Sequence, residues 1–306
     1  MSQPVRFDVL SDVQGDVADL DVALAAFAEF PPADQLLING DLTLRGYRWQ
    51  WDELMARLAA TPHPPLLFTI GNHDFYLPLH KWRSSSTAIN RFRNYTAMPG
   101  LYSAHDVGGV RVLRLGSIDG RERGGHEVVL GDAQLQWLAT ELAAPRTRGP
   151  VLVASHHVLP RTISATGDDP VTQAPNVYQR DYAEADRLLE ILGAHPEVLF
   201  LSGHTHWSLY RDDWFTRRIV AGGDPAGFAV ANTGAVQFGW EANGRGGEQA
   251  HDDPQNQGLR IVVTDDQVRI HALDFAARVV IHTVELAVGS TDIRQLSGLT
   301  WADALS

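Results

Sequence analysis

Short apolar runs alternate with amphipathic windows along most of the chain. The runs are Val5–Leu10, Leu36–Ile38, Leu66–Ile70, Val110–Ile118, Val151–Ala154 and Val198–Leu201. Their hydrophobicity is continuous rather than alternating, as in strands covered on both faces. The intervening windows Val17–Phe30, Trp49–Ala60, Ser84–Ala97, Asp132–Leu142 and Tyr182–His195 read as helices. In the fourth, Leu135, Leu138, Ala139 and Leu142 form one apolar stripe, and Asp132 suits the positive end of the helix dipole. Leu101–His105 and Val110–Ile118 flank Val107-Gly108-Gly109, a hairpin signal. From about Ala221 to Gly258 the chain is Gly-rich and polar, which predicts long loops around a short strand at Phe228–Asn232. Leu259–Thr264, Gln267–Asp274 and Arg278–Glu285 then read as a three-stranded meander. Strands with helical crossovers followed by antiparallel strands predict a layered α/β sandwich. No linker, repeat or low-complexity tract interrupts the series, so the expectation is a single domain over residues 1–306.

Composition narrows the function classes. The chain of 306 residues has no cysteine, which excludes thiol catalysis, iron–sulfur clusters and thiolate zinc sites. A formal net charge of −12 argues against a nucleic-acid polymer or an anionic membrane surface as partner. There is no signal-peptide pattern and no apolar run of membrane-spanning length, so a soluble cytoplasmic protein is expected.

The candidate chemistry sits where the apolar runs stop. Val5–Leu10 leads to Ser11-Asp12-Val13-Gln14, and Leu36–Ile38 to Asn39-Gly40-Asp41. Leu66–Ile70 leads to Gly71-Asn72-His73-Asp74, and Val151–Ala154 to Ser155-His156-His157. Val198–Leu201 leads to Ser202-Gly203-His204-Thr205-His206. In an open α/β sheet, ligands collect beyond the carboxyl ends of the strands, so these clusters should share one cleft. Carboxylates, an amide and several imidazoles are ligands for divalent ions of intermediate hardness, and their number suits two ions better than one. Glycines before Asp41, Asn72 and His204 are expected to let the backbone turn sharply there. His204 and His206 point the same way if the backbone is extended.

These clusters resemble, in order, the motifs of the calcineurin-like metallophosphoesterase superfamily: Asp-x-His, Gly-Asp, Gly-Asn-His-Asp/Glu, a later His, and Gly-His-x-His. The match runs from residue 12 to residue 206. The resemblance implies a four-layer αββα sandwich of two mixed sheets flanked by helices, with metals at the strand C-terminal ends and residues 220–306 supplying loops and the last sandwich strands. It also implies roles. Asp41 would bridge two metals, Asp12 and His206 would hold the first, and Asn72, His156 and His204 the second. His73 would meet the leaving-group oxygen as acid or charge stabiliser, with Asp74 orienting its ring. A metal-bridging hydroxide would attack the phosphorus of a phosphodiester or phosphomonoester of a small substrate, with or without a nucleotide. The alternative is a non-catalytic interaction module on the same fold, which usually lacks several of these residues.

Gln14 departs from the family pattern, standing where most members have His. As a neutral, harder ligand it should weaken the first site and favour manganese or magnesium over zinc; alternatively it only bonds a water. A similar Asp-x-Gln occurs in the manganese-dependent ADP-ribose/CDP-alcohol pyrophosphatases of the superfamily. The cofactor expectation is therefore two divalent ions, manganese first, with iron, zinc or magnesium as alternatives. By family position His156 is the ligand of its doublet, leaving His157 to approach substrate or support the site. Arg45 is a candidate phosphate fork. Tyr76, Trp82, Trp207 and Trp214 lie near the motifs and could stack on a base or belong to the core.

Overall fold

The computed structural model describes residues 3–76, 85–120, 128–145, 148–167, 178–252, 254–287 and 292–305. Trp82 and the motif-free His80 and His126 lie outside them. The early elements are β1 (Val5–Leu10), α1 (Val17–Phe27), β2 (Gln35–Asn39), α2 (Arg48–Ala60), β3 (Leu66–Thr69) and α3 (Ser85–Thr96). The hairpin β4 (Ser103–Val107) and β5 (Val110–Arg114) follows, then α4 (Asp132–Ala143), β6 (Arg148–Ala154), α5 (Ala185–Gly193) and β7 (Val198–Ser202). Next come β8 (Phe215–Arg218), β9 (Phe228–Asn232), β10 (Trp240–Ala242) and β11 (Glu248–Ala250). The chain ends with β12 (Gln257–Val263), β13 (Gln267–Asp274), β14 (Val279–Ala287), β15 (Ile293–Leu296) and α6 (Trp301–Ala304).

Among the described residues these strands build two large mixed sheets. One has the order β15-β14-β13-β12-β1-β2-β3, the other β4-β5-β6-β7-β9-β8. In the first, β1, β2 and β3 are parallel and β12 joins β1 antiparallel, placing Phe7 opposite Ile261. The meander therefore extends the sheet that the first strand began. In the second, β5, β6, β7 and β9 run parallel. The hairpin turns through Gly108 at φ 58° and Gly109 at φ 88°, the left-handed pair that two-residue hairpin loops require.

Side-chain alternation sorts each strand between two cores. Leu152 of β6, Leu199 and Leu201 of β7, and Phe7 and Val9 of β1 pack between the sheets. Val151, Val153, Val198 and Phe200 face outward and pack with Leu135, Leu138, Leu188 and Leu192 of α4 and α5. On the other flank, Leu10, Leu36 and Ile38 pack with Leu20, Leu24, Trp51 and Leu54 of α1 and α2. The layers are helix, sheet, sheet, helix. Arg114 of β5 ties the sheets together at one corner. Its buried guanidinium donates to the carbonyl of Phe68 on edge strand β3, to Ser103 Oγ and to the carbonyl of Gly100. No helix among the described residues is long and apolar enough to cross a membrane.

Candidate metal centre and active site

Five strand ends converge as the sequence predicts. Asp12 and Gln14 follow β1, Asp41 follows β2, and Asn72 and His73 follow β3. His156 follows β6, and His204 and His206 follow β7, so both sheets contribute. All but His73 are buried. Two groups of ligand atoms lie within 4.8 Å of one another: Asp12, Asp41 and His206, and Asp41, His156 and His204. Asp41 is common to both, the place a bridging carboxylate would take.

The hydrogen-bond pattern bears on whether these residues suit cations. His156 Nδ1 lies 2.8 Å from the carbonyl of Asn39, and His206 Nδ1 lies 2.9 Å from that of Phe238. A carbonyl only accepts, so each Nδ1 carries a hydrogen. In the neutral rings Nε2 then presents a lone pair. His206 Nε2 faces Asp12 Oδ1 at 3.0 Å, and His156 Nε2 faces Asp41 Oδ2 at 3.2 Å. A lone pair opposite a carboxylate oxygen is repulsive unless a positive charge stands between them. Asn72 repeats the pattern: its Nδ2 donates to Tyr76 Oη at 2.9 Å, while its buried Oδ1 makes no hydrogen bond among the described residues. Asp12 Oδ1 and His156 Nε2 are in the same condition. The donor set therefore fits divalent ions, with the imidazoles oriented by backbone carbonyls as metal-binding histidines require.

The titration behaviour agrees. Burial would push the Asp41 carboxyl up, but His156 and His73 hold it well below the usual carboxylate range. Burial would push His156 down, yet Asp41 and Asp12 raise it to about 10. His206 is likewise raised against burial, chiefly by Asp12. These shifts favour a positive charge between the facing groups, from a proton or from a metal ion.

The backbone is arranged around these groups. His204 N donates to Asp12 Oδ2 at 3.0 Å, and His73 N to Asp41 Oδ1 at 2.8 Å. Asp12, Gln14, Asp41, His204 and His206 have φ of 56°, 47°, 49°, 70° and 53°, the left-handed region that non-glycine residues rarely adopt. The glycines do more than turn the chain. Gly40 has φ 85° and leaves room for the His156 ring. Gly71 and Gly203 do not have a left-handed φ; they allow close approach instead. A Cβ at Gly71 would strike the Asp41 carboxylate and amide, and one at Gly203 would strike Ser11 Oγ and the Asp12 carboxylate.

Several expected roles change. Asp74 does not touch the His73 ring, whose Nδ1 bonds the carbonyl of Leu44 at 2.9 Å. The Asp74 carboxylate instead accepts from Thr43 N and Thr43 Oγ1, each at 2.9 Å, and from Gly71 N at 3.0 Å. Asp74 thus clamps the loops bearing Asp41 and Asn72. Burial and the Asp41 charge raise its pKa to about 7, against the bonds from Gly71 and Thr43. Gln14 turns its amide nitrogen inward, donating to Asp41 Oδ2 at 3.1 Å and lying 3.0 Å from His206 Nε2. Ligation by its oxygen would take a half-turn of the amide. Arg45 is exposed and is not among the described residues lining the cavity. His157 is buried and packs its ring 4.5 Å from that of His204, supporting the site from behind. Tyr76 packs against His73, while Trp207 and Trp214 are core residues with 1% exposure each.

A cavity of about 470 Å³ opens over the centre, lined by Gln14, Asp41, Asn72, His73, His204 and His206 on its floor. Beyond Leu44, its wall is Tyr178, Asp181, Phe238, Trp240 and Glu248. The sequence reading singled out none of these. They sit in loops and in the three-residue strands β10 and β11, where no spacing or apolar run announces chemistry. Glu248 braces this wall: it accepts from Tyr178 Oη at 2.8 Å and from Trp207 Nε1.

The comparisons with known proteins cover the segment that carries these residues. The family model "calcineurin-like phosphoesterase" matches residues 5–208, and a domain of unknown function (DUF4073) matches residues 209–305. A probable cyclic nucleotide phosphodiesterase of Rhodococcus erythropolis is 27% identical over 243 residues, covering 78% of this chain and 69% of the relative. A cAMP/cGMP dual specificity phosphodiesterase of Mycobacterium tuberculosis is 28% identical over 179 residues, 57% of this chain and 49% of the relative. The chain thus spans about half the length of that second relative. The structure of a purple acid phosphatase from yellow lupin superposes with a TM-score of 0.64 at 13% identity, over 90% of this chain and 52% of that one. With the family model spanning two-thirds of its length, the chain belongs to the calcineurin-like phosphoesterase family, metal-dependent enzymes of phosphate-ester hydrolysis.

Proposed function

We propose that this chain hydrolyses a small, nucleotide-type phosphodiester at a binuclear metal centre. The observation that carries the reading is the set of imidazole Nε2 atoms facing carboxylate oxygens while their Nδ1 atoms are committed to carbonyls. Asp12, Gln14 and His206 would hold the first cation, Asn72, His156 and His204 the second, and Asp41 both. Manganese is the favoured metal, because all of these donors are oxygen or imidazole nitrogen. When bound, the pair supplies Lewis acidity to the phosphoryl oxygens and acidifies a water.

The chain's own residues do the rest. His73 stands at the cavity with a quarter of its side chain exposed and Nε2 3.9 Å from Asp41 Oδ2. With Nδ1 tied to Leu44, Nε2 is the atom that can pass a proton to the leaving oxygen. Asp74 holds the two loops that carry Asp41 and Asn72 at a fixed separation. Phe238, Trp240 and Tyr178 offer aromatic surface beside the metals for a base, and the relatives named as cyclic nucleotide phosphodiesterases support that substrate class. The same reading takes residues 1–306 as one metallophosphoesterase domain, since β12 completes the sheet begun by β1. The test is hydrolysis of bis-p-nitrophenyl phosphate and of 3′,5′-cyclic AMP by chelated protein reloaded with Mn²⁺. Turnover of both that vanishes on chelation is expected. Metal-loaded protein that cleaves no phosphodiester would overturn the reading.

A further inference from the structure

The proposed centre contains one carboxylate more than its motifs supply. Asp181 is 5% exposed, lines the cavity, and places Oδ2 3.3 Å from His204 Nε2. That oxygen makes no hydrogen bond among the described residues. The segment holding it is fixed on both sides. Val128 N donates to the carbonyl of Asp181 at 2.5 Å, and Ala183 N donates to the carbonyl of Val128 at 2.9 Å. Tyr182 Oη donates to the carbonyl of His157 at 2.9 Å, fastening the segment to the His156 loop.

A buried carboxylate is unfavourable unless its charge is met, and one in the wall of a phosphate cavity also repels the substrate. Its charge is therefore met either by a proton, which burial favours, or by a cation. The surroundings say which. His204 Nε2, which faces Asp181 Oδ2, belongs to the cluster with Asp41 and His156; Asp181 borders that cluster at His204 and is not one of its mutually close members. Two ligands each about 2.1 Å from one ion are about 3.0–3.4 Å apart at angles between 90° and tetrahedral. The observed 3.3 Å is the separation of neighbouring ligands on a shared ion. Glu248, the other acid of this wall, is already engaged by Tyr178 and Trp207 and is not aimed in this way.

We propose that Asp181 is a further ligand of the second cation, beside Asp41, Asn72, His156 and His204. The proposal rests on the binuclear reading above. It makes the two sites unequal: the second gains a carboxylate, while the first has the neutral Gln14. The second site fills first and holds its ion more tightly.

Titration of the chelated protein with Mn²⁺ by calorimetry tests this. Wild type is expected to show two classes of site. Asp181→Asn should weaken the tighter class about 100-fold or more and spare the weaker one. The thermal midpoint of chelated Asp181→Asn should equal or exceed that of wild type, because an unpaired buried carboxylate is removed. A tight class unchanged in Asp181→Asn would overturn the assignment. Wild type that binds no Mn²⁺ would overturn the binuclear reading itself, and the assignment with it. A second variant gives a direct signature. The chain has no cysteine, so Asp181→Cys introduces its only thiol. Loading with Co²⁺ should then produce a thiolate-to-cobalt charge-transfer band absent from wild type. Co²⁺ bound without that band would place residue 181 outside the coordination sphere.

Discussion

At the scale of single residues, one added methyl group would collide with the proposed centre. A Cβ at Gly71 meets Asp41, the residue shared by both clusters. Gly71→Ala is expected to lower bound manganese, by elemental analysis after dialysis, and to lower turnover at least about 100-fold. His73 separates from this effect. His73→Asn should lower kcat by roughly 10²–10⁴-fold while metal content and KM stay near wild type, as loss of proton transfer alone requires. A parallel loss of metal would place His73 among the ligands instead. The convergence of the proposed ligands was legible in the sequence because each sits just after an apolar run. The role of Asp74 was not legible. Its neighbour in sequence, His73, turns to the Leu44 carbonyl, while Asp74 turns back to Thr43 and Gly71. Adjacency along a tight helical turn does not put two side chains on one face.

At the scale of elements, the central strands were readable because continuous apolar runs suit sheets covered on both sides. The wall of the cavity was not. β10 and β11 are three residues each, set in glycine and polar residues, and long-range contacts bring Trp240 and Glu248 to the site: Trp240 N donates to the carbonyl of His206, and Tyr178 and Trp207 hold Glu248. The C-terminal meander was visible as strands, but its attachment to β1 is a long-range pairing that local pattern does not encode. That meander carries its own pH response. His271 of β13 is buried and bonds Thr283 Oγ1 of β14 through Nδ1 at 2.8 Å. Burial, with Arg269 and Arg260 nearby, lowers its pKa to about 4. Between that value and about 6.5 the unfolded chain binds more protons here than the folded one. The contribution is therefore complete above about pH 6.5 and is lost as pH falls towards 4. Urea unfolding should show His271 withdrawing about 2 kcal/mol between pH 7 and pH 5. In His271→Gln this part of the slope should disappear.

At the scale of the molecule, a chain of net charge −12 binds a dianionic or monoanionic ester only through local positive charge. The two divalent ions proposed above would supply it and leave a total near −8, before any bound hydroxide is counted. They also link folding to metal supply. At a hundredfold excess over Kd each bound ion adds about 2.7 kcal/mol. Saturation of both sites should raise the Tm by roughly 10 °C in calorimetry, and a chelator should reverse it. An unchanged Tm on loading would mean that the ions do not bind the folded centre. The left-handed backbone at residues 12, 14, 41, 204 and 206 has a consequence at this scale too. Each such residue costs about 1–2 kcal/mol, so the five together rival the whole net stability of an ordinary domain. Heat resistance and turnover therefore pull these positions in opposite directions. Laboratory evolution under thermal selection alone should enrich glycine or asparagine there, yielding hardier proteins that no longer hydrolyse anything.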